Sequence, residues 1–229
     1  MGLSILNIHF LKLRDAMLFM AKLYFLGGEN VNRRDAREVN EAAFADACTE
    51  PSILVFPWAR PSFDTRYQRR RTVTNYFRSL GAATVEFCDY LETQEEIRDK
   101  IARSNVIYLT GGQVTTLVTR LKTTGVDSLL RDYSGVIVGR SAGALVLGKL
   151  CFVRNRYSGA VRVVFGLGLV DFSVKVHYDS SKDKWLKELS KTEKIYGLPQ
   201  RSALVYDRGA ISFLGDVVLF EKGEKKPQE

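Results

Sequence analysis

The sequence predicts an α/β protein, a three-layer sandwich with a mostly parallel central sheet and a C-terminal β-meander. Three observations carry that prediction. Short, continuous apolar runs recur at "KLYFL", "SILVF", "ATVEF", "NVIYL" and "GVIVG", and strands that are apolar on both faces belong to a sheet buried between two layers. The segments between them are long enough for helices, so the order is β, α, β, α. After residue 150 the pattern changes to apolar/polar alternation with glycine turns, the mark of antiparallel strands.

Residues 1–20 read as an N-terminal extension. The stretch is partly apolar, but Lys12, Arg14 and Asp15 interrupt it and no small-residue cleavage site follows, so it is not expected to act as a secretion signal. Met17 and Met20 stand just before the first strand, which points to a leader that packs poorly; an amphipathic helix is the rival reading. Residues 21–222 are expected to form a single α/β domain. Ala36, Val39, Ala43 and Ala47 recur at helical spacing in the first gap, and Val73, Phe77 and Leu80 in the second. "FVRNRYSGAVRVVFG" reads as a hairpin, "VDFSVKVHY" as a strand, "SSKDKWLKELSK" as a serine-capped helix and "SALVYDRGAISFLGDVVLFEKG" as the meander. The closing stretch "EKGEKKPQE", with residues 223–229 as the tail proper, is expected to be disordered.

Composition narrows the function. With 229 residues, 45% of them hydrophobic, the chain can bury one sizeable core, and no run approaches the roughly 20 apolar residues of a membrane span. Three cysteines, Cys48, Cys88 and Cys151, are odd in number and far apart. They indicate neither a disulfide framework nor a zinc site, and a reducing cytoplasm fits them best. A net charge of +8, from 34 Lys and Arg against 26 Asp and Glu, attracts polyanions. Nucleic acid is therefore a partner class to weigh, but no aromatic-rich RNA motif or helix-turn-helix spacing supports it. The cluster "RYQRRR" (66–71) reads as a solvated helix face.

The informative stretch is "VIVGRSAGALVLG", residues 136–148. A strand that runs through G-x-S-x-G into a helix makes a sharp turn that lifts the serine hydroxyl out of the sheet. Gly139, Arg140, Ser141, Ala142 and Gly143 fill that pattern; the alternative is a tight turn with a serine cap. The Ala142 amide, at the start of the helix, would face the charge that builds on an attacked carbonyl. A serine of ordinary pKa needs a base, and the chain has two histidines. His9 lies in the leader. His177 follows the strand "VDFSVKV", and strand ends are where sites on open parallel sheets gather. At "VIYLTGGQVTTL" a strand breaks at Gly111 and Gly112, whose unscreened amides could supply a second oxyanion donor. "FLGGEN" is a similar turn near the same sheet edge, with Glu29 and Asn30 as rim residues.

"VIYLTGGQVTTL", "GVIVGRSAGALVLG" and "GLGLVDFSVKVHYD" together resemble the three successive signatures of the dipeptidase E and cyanophycinase family of serine peptidases, related in fold to class I glutamine amidotransferases. The resemblance runs from "LYFLGG" to "ISFLGDVVLF". It implies a hydrolase-type domain that cleaves small peptides through an acyl-enzyme, with Ser141 as nucleophile, His177 as base, and Gly112 and Ala142 as the oxyanion hole. It implies no cofactor and no metal ion, and a monomer or homodimer.

One position departs from the family pattern. Where its aspartyl dipeptidases carry a glutamate as third triad member, this chain reads "GLPQRSAL", with Gln200. An amide accepts a hydrogen bond but supplies no charge, and in trypsin an acid-to-amide exchange costs about 10⁴ in turnover. Gln200 serves weakly, or Asp179, Tyr206 or Asp207 takes its place, or the scaffold has become a binding or regulatory protein. Asp179 also reads as a helix cap. Arg140 and Gly111 are the candidate substrate-binding residues: the guanidinium could take a substrate carboxylate or could point to solvent, and the resemblance implies a small peptide with an acidic N-terminal residue.

Overall fold

The computed structural model describes residues 20–30, 32–60, 70–154 and 160–226. The leader up to residue 19, residues 66–69 of the arginine cluster and the last three residues lie outside these. Five apolar runs form the parallel part of the main sheet: β1 (Lys22–Leu26), β2 (Ser52–Phe56), β3 (Thr84–Phe87), β4 (Val106–Leu109) and β5 (Val136–Arg140). They lie side by side in the order β1-β5-β4-β2-β3. Alternate side chains of β1, β2, β4 and β5 enter two different cores, which is why these runs are apolar, while the edge strand β3 packs Val85 and Phe87 on one face only. Phe25, Leu54, Ile107 and Ile137 face one core, while Tyr24, Val55, Tyr108 and Val138 face the other.

Helices α1 (Arg37–Ala47) and α2 (Arg70–Arg78) cover the second face through Val39, Ala43, Phe44, Val73 and Phe77. Helices α3 (Gln94–Ala102), α4 (Val114–Thr123), α5 (Val126–Arg131) and α6 (Ala142–Leu147) cover the first. A capping box between Thr93 and Glu96 starts α3. The expected three layers are thus present. Arg70, the first helical residue of the arginine cluster, is not a solvated charge: it pairs with Asp89 and lies over the Phe87 ring.

Past residue 150 come β6 (Leu150–Arg154) and β7 (Val161–Phe165), the expected hairpin. Then follow β8 (Ser173–Val176), α7 (Asp183–Leu189), β9 (Ile195–Leu198), β10 (Ala203–Asp207), β11 (Ala210–Leu214), β12 (Val218–Glu221) and β13 (Glu224–Lys226). The C-terminal strands divide between two sheets. β10 and β11 add an antiparallel edge to β1, while β12 and β13 join β9 and β8 in a four-stranded sheet. Gly215 makes the break, with a left-handed φ of +77°.

Two expectations need correction. The closing stretch is ordered through Lys226, because Glu224–Lys226 pairs with β12 and the Lys226 ammonium bonds Glu221. The segment "SSKDKW" is capped by Asp179 rather than by a serine: its carboxylate accepts from the Ser181 amide and opens a 3₁₀ turn, Ser180–Lys182, ahead of α7.

The glycines of G-x-S-x-G are there for packing. A methyl group on Gly139 would lie 2.6 Å from Gly143 O, and one on Gly143 would lie 2.3 Å from Leu109 O, so α6 rests directly on the backbone of β4 and β5. Gly143→Ala is therefore expected to reduce unfolding free energy by about 1–3 kcal/mol, the usual cost of overpacking. Urea denaturation checks this, and unchanged stability would contradict so close a packing.

Candidate active site

Strand ends bring the side chains together. β5 ends at Arg140, and Ser141 follows with φ +53° and ψ −108°, outside the ordinary regions for a residue with a Cβ. β8 ends at Val176, and His177 follows, also left-handed at φ +51°. β9 ends at Leu198 and leads through Pro199 to Gln200. Ser141 Oγ lies 2.7 Å from His177 Nε2, and Gln200 Nε2 lies 2.9 Å from His177 Nδ1. Two residues 36 apart in sequence and a third from another strand thus form one hydrogen-bonded row.

The turn after β1 holds this row in place. Leu26 O accepts from the Ser141 amide at 2.9 Å, Gly27 O from the His177 amide at 3.1 Å, and Gly28 O from the Arg201 amide at 2.9 Å. A methyl group on Gly27 would lie 2.0 Å from Pro199 O, and one on Gly28 would lie 2.3 Å from Gln200 Oε1 and 2.6 Å from His177 Cε1. Only glycines let the turn pass beneath the imidazole.

The remaining candidates fall into place around the row. Gly111 packs against Ser141: its added Cβ would lie 3.2 Å from Ser141 Cβ. Gly112 has φ +155° and lies so close to Ala59 O that a methyl would stand 2.3 Å away. Ala142 is buried in the first turn of α6. Arg140 does not point to solvent. Its Nη1 donates to Glu29 O at 3.1 Å, and 13% of its side chain is exposed.

The three stand-ins for Gln200 are elsewhere. Asp179 caps its turn and pairs with Lys182, which holds its carboxyl down at about 2. Tyr206 pairs in register with Leu23, toward the other end of β1, and Asp207 next to it is bound to Lys22 and Arg208. Asn30 is exposed, as expected of a rim. Glu29 is not: its carboxylate is 1% exposed, bonded by Tyr108 and Asn40, and burial pushes its pKa up against the opposing pull of Arg140. An acid directly after a strand and two glycines was a signal for this role; nothing in the sequence singled out Tyr108 or Asn40.

The electrostatics are unusual for a histidine in such a row. Burial, then the nearby cations Lys175, Arg140 and Lys182, lower the His177 pKa below the ordinary imidazole value. The ring is therefore neutral at pH 7. With Gln200 Nε2 donating to Nδ1, the ring proton sits on Nε2 and faces Ser141. A half-turn of the amide puts Oε1 on a protonated Nδ1 and leaves Nε2 to accept the serine proton. Only the second arrangement is a base. Among the described residues no cluster of His, Cys, Asp and Glu could hold a metal ion, and no helix is long and apolar enough to cross a membrane.

The fold is an α/β sandwich whose strand ends gather around a turn-borne serine. The model of peptidase family S51 matches residues 23–214, and the chain belongs to that family. An uncharacterized peptidase of Listeria monocytogenes is 30% identical over 139 residues, which cover 55% of this chain and 68% of the relative. One of Pasteurella multocida is 31% identical over 143 residues, covering 59% and 69%. Among solved structures, a protein of Listeria monocytogenes EGD-e described as a candidate peptidase E superposes with a TM-score of 0.66 at 22% identity, over 85% of this chain and 98% of the other. A peptidase from an acI-B1 actinobacterium gives 0.68 at 19% identity, over 92% and 98%. At these identities the structural likeness establishes the fold.

The electrostatics can be checked by titration. The His177 ring should titrate below the ordinary value near 6.5. Since the unfolded chain then takes up the proton first, the stability this residue contributes is complete above about 6.5 and is lost as pH falls from there through the folded pKa. NMR titration of the imidazole Hε1 measures this; a midpoint at or above the ordinary value would refute the cationic setting.

Proposed function

We propose that the chain is a serine peptidase that hydrolyses small peptides through an acyl-enzyme on Ser141. The observation that carries this reading is the 2.7 Å contact of Ser141 Oγ with His177 Nε2, at a turn that exposes the hydroxyl. His177 takes the Ser141 proton as the hydroxyl oxygen attacks the peptide carbonyl. The amides of Gly112 and Ala142 hold the resulting oxyanion. His177 returns the proton to the leaving amine, and water then releases the acyl group by the same steps. Gln200, through Oε1, keeps the Nδ1 tautomer that leaves Nε2 a base. The mechanism needs no cofactor.

The substrate reading is an acidic peptide. Lys175, Arg140 and Lys182 all bear on His177, and such a setting attracts a carboxylate-bearing substrate. A second reading has support of its own: the only side chain on Nδ1 among the described residues is an uncharged amide. A scaffold in this condition suits a catalytically impaired protein that binds peptides or regulates a partner.

A fluorophosphonate probe separates the two. Labelling that disappears in Ser141→Ala and weakens strongly in His177→Ala supports the enzyme, whereas well-folded wild type that takes no label supports the impaired scaffold. Gln200→Glu should raise the labelling rate about tenfold or more, since a carboxylate stabilises the imidazolium. It should also move the acid limb of the pH profile upward, because an anion beside His177 raises its pKa.

A further inference from the structure

A buried polar cluster lies next to the row and takes no part in the scheme above. Glu29 Oε1 accepts from the Tyr108 hydroxyl, and Oε2 accepts from Asn40 Nδ2 at 2.7 Å. Asn40, fully buried on α1, also donates to Ala36 O at 3.0 Å and to the Tyr76 hydroxyl at 2.9 Å. Glu29 is thus fixed by side chains from α1 and β4. Its remaining neighbour is Arg140, whose Nε lies 4.0 Å from Oε1 and whose Nη1 donates to the Glu29 carbonyl. The other end of the guanidinium reaches the glycine turn: Nη2 lies 3.6 Å from where a Gly111 Cβ would stand. Arg140 therefore spans from Glu29 to Gly111, and the peptide bond joins it to Ser141.

Burying an ion pair is a poor way to stabilise a fold, since apolar side chains of similar volume do as well or better. What such a pair supplies is fixed position. Position is what an oxyanion donor requires, because a displacement of about 1 Å costs on the order of 100-fold in rate. Gly111 and Gly112 have no side chains of their own with which to anchor the turn. On one side it rests on Ala59, and on the other it meets Arg140 and Ser141.

We propose that Glu29 is a positioning residue: through Arg140 it fixes the Gly111–Gly112 turn against Ser141, so that the amide of Gly112 meets the oxyanion. This inference rests on the peptidase reading above and goes beyond it, because it assigns a function to a carboxylate that touches no reacting atom.

The test is the second-order rate of Ser141 labelling by a fluorophosphonate, whose phosphoryl oxygen occupies the oxyanion site and which needs no substrate side-chain recognition. Glu29→Gln is expected to slow labelling about 10- to 100-fold. Arg140→Met should do the same, and the double variant should be no slower than either single one, since both act on the same turn. In Glu29→Gln, with any fluorogenic dipeptide that the wild type cleaves, kcat should fall and KM hold. Tyr108→Phe removes one anchor of Glu29 while keeping the ring in the core; it should give a smaller loss of the same kind and serves if Glu29→Gln does not fold. Wild-type labelling rates in both Glu29→Gln and Tyr108→Phe, or effects of Glu29 and Arg140 that multiply, would overturn the positioning role alone. A wild-type protein that takes no label overturns the peptidase reading, and this one with it.

Discussion

Three consecutive backbone carbonyls, those of Leu26, Gly27 and Gly28, organise the site. Each accepts from the amide of a different segment: Ser141, His177 and Arg201. Leu26 ends β1, which is itself held on both sides, by β5 in parallel and β10 antiparallel, and Gly27 and Gly28 follow directly from it. The candidate nucleophile, base and third member are thus located relative to one short stretch of chain, the end of β1 and the two glycines that follow it. Ser141 and His177 both have left-handed φ values, a strain worth about 1–3 kcal/mol each. Backbone hydrogen bonds to β1's end offset that strain.

Because the geometry is set by backbone, it is separable from the charge. The row Ser141–His177–Gln200 is closed by hydrogen bonds of 2.7 and 2.9 Å, yet its surroundings work against an imidazolium: burial, then Lys175, Arg140 and Lys182, oppose protonation of His177. In the acyl-transfer scheme the imidazolium forms and decays with each proton transfer. In that proposed scheme an amide at position 200 would orient the ring without stabilising the cation, so the loss relative to a carboxylate would fall on the transition state rather than on the arrangement of atoms. An anionic substrate bound near the same cations would supply part of the missing negative charge, which links the acidic-peptide reading to the missing acid.

Much of this was legible in the sequence, for identifiable reasons. Continuous apolar runs gave the parallel strands because both faces of β1, β2, β4 and β5 are buried, and G-x-S-x-G gave the turn because α6 rests on bare backbone. His177 followed from a count of two histidines and its place after a strand. What was not legible depends on contacts distant in sequence. The inward turn of Arg140 is set by Glu29, 111 residues away. The exclusion of Tyr206 and Asp207 follows from the antiparallel register of β10, which runs away from the site after Ala203. The division of the C-terminal strands between two sheets turns on one left-handed glycine, and alternation alone reads the same for one sheet or two. The ordered Glu224–Lys226 was hidden because a charged edge strand has the composition of a solvated tail.

The same reasoning explains why the site is built from glycines outside and charges within. Gly27 and Gly28 lie against Pro199, Gln200 and His177, Gly112 lies against Ala59, and Gly139 and Gly143 bring α6 onto the strands. These contacts place backbone against backbone or against the candidate row's side chains, where rigidity is high and no rotamer can relax. They leave little volume for side chains that could lock the loops from within. Where the turns after β1, β4 and β5 meet, Glu29 and Arg140 occupy the space between them, and the guanidinium reaches from the Glu29 carbonyl to the Gly111 turn. A hydrophobic pair of equal size would fill that space without specifying the orientation of either turn. The buried charge therefore sits where the glycine turns meet, with Tyr108 and Asn40 holding its far side.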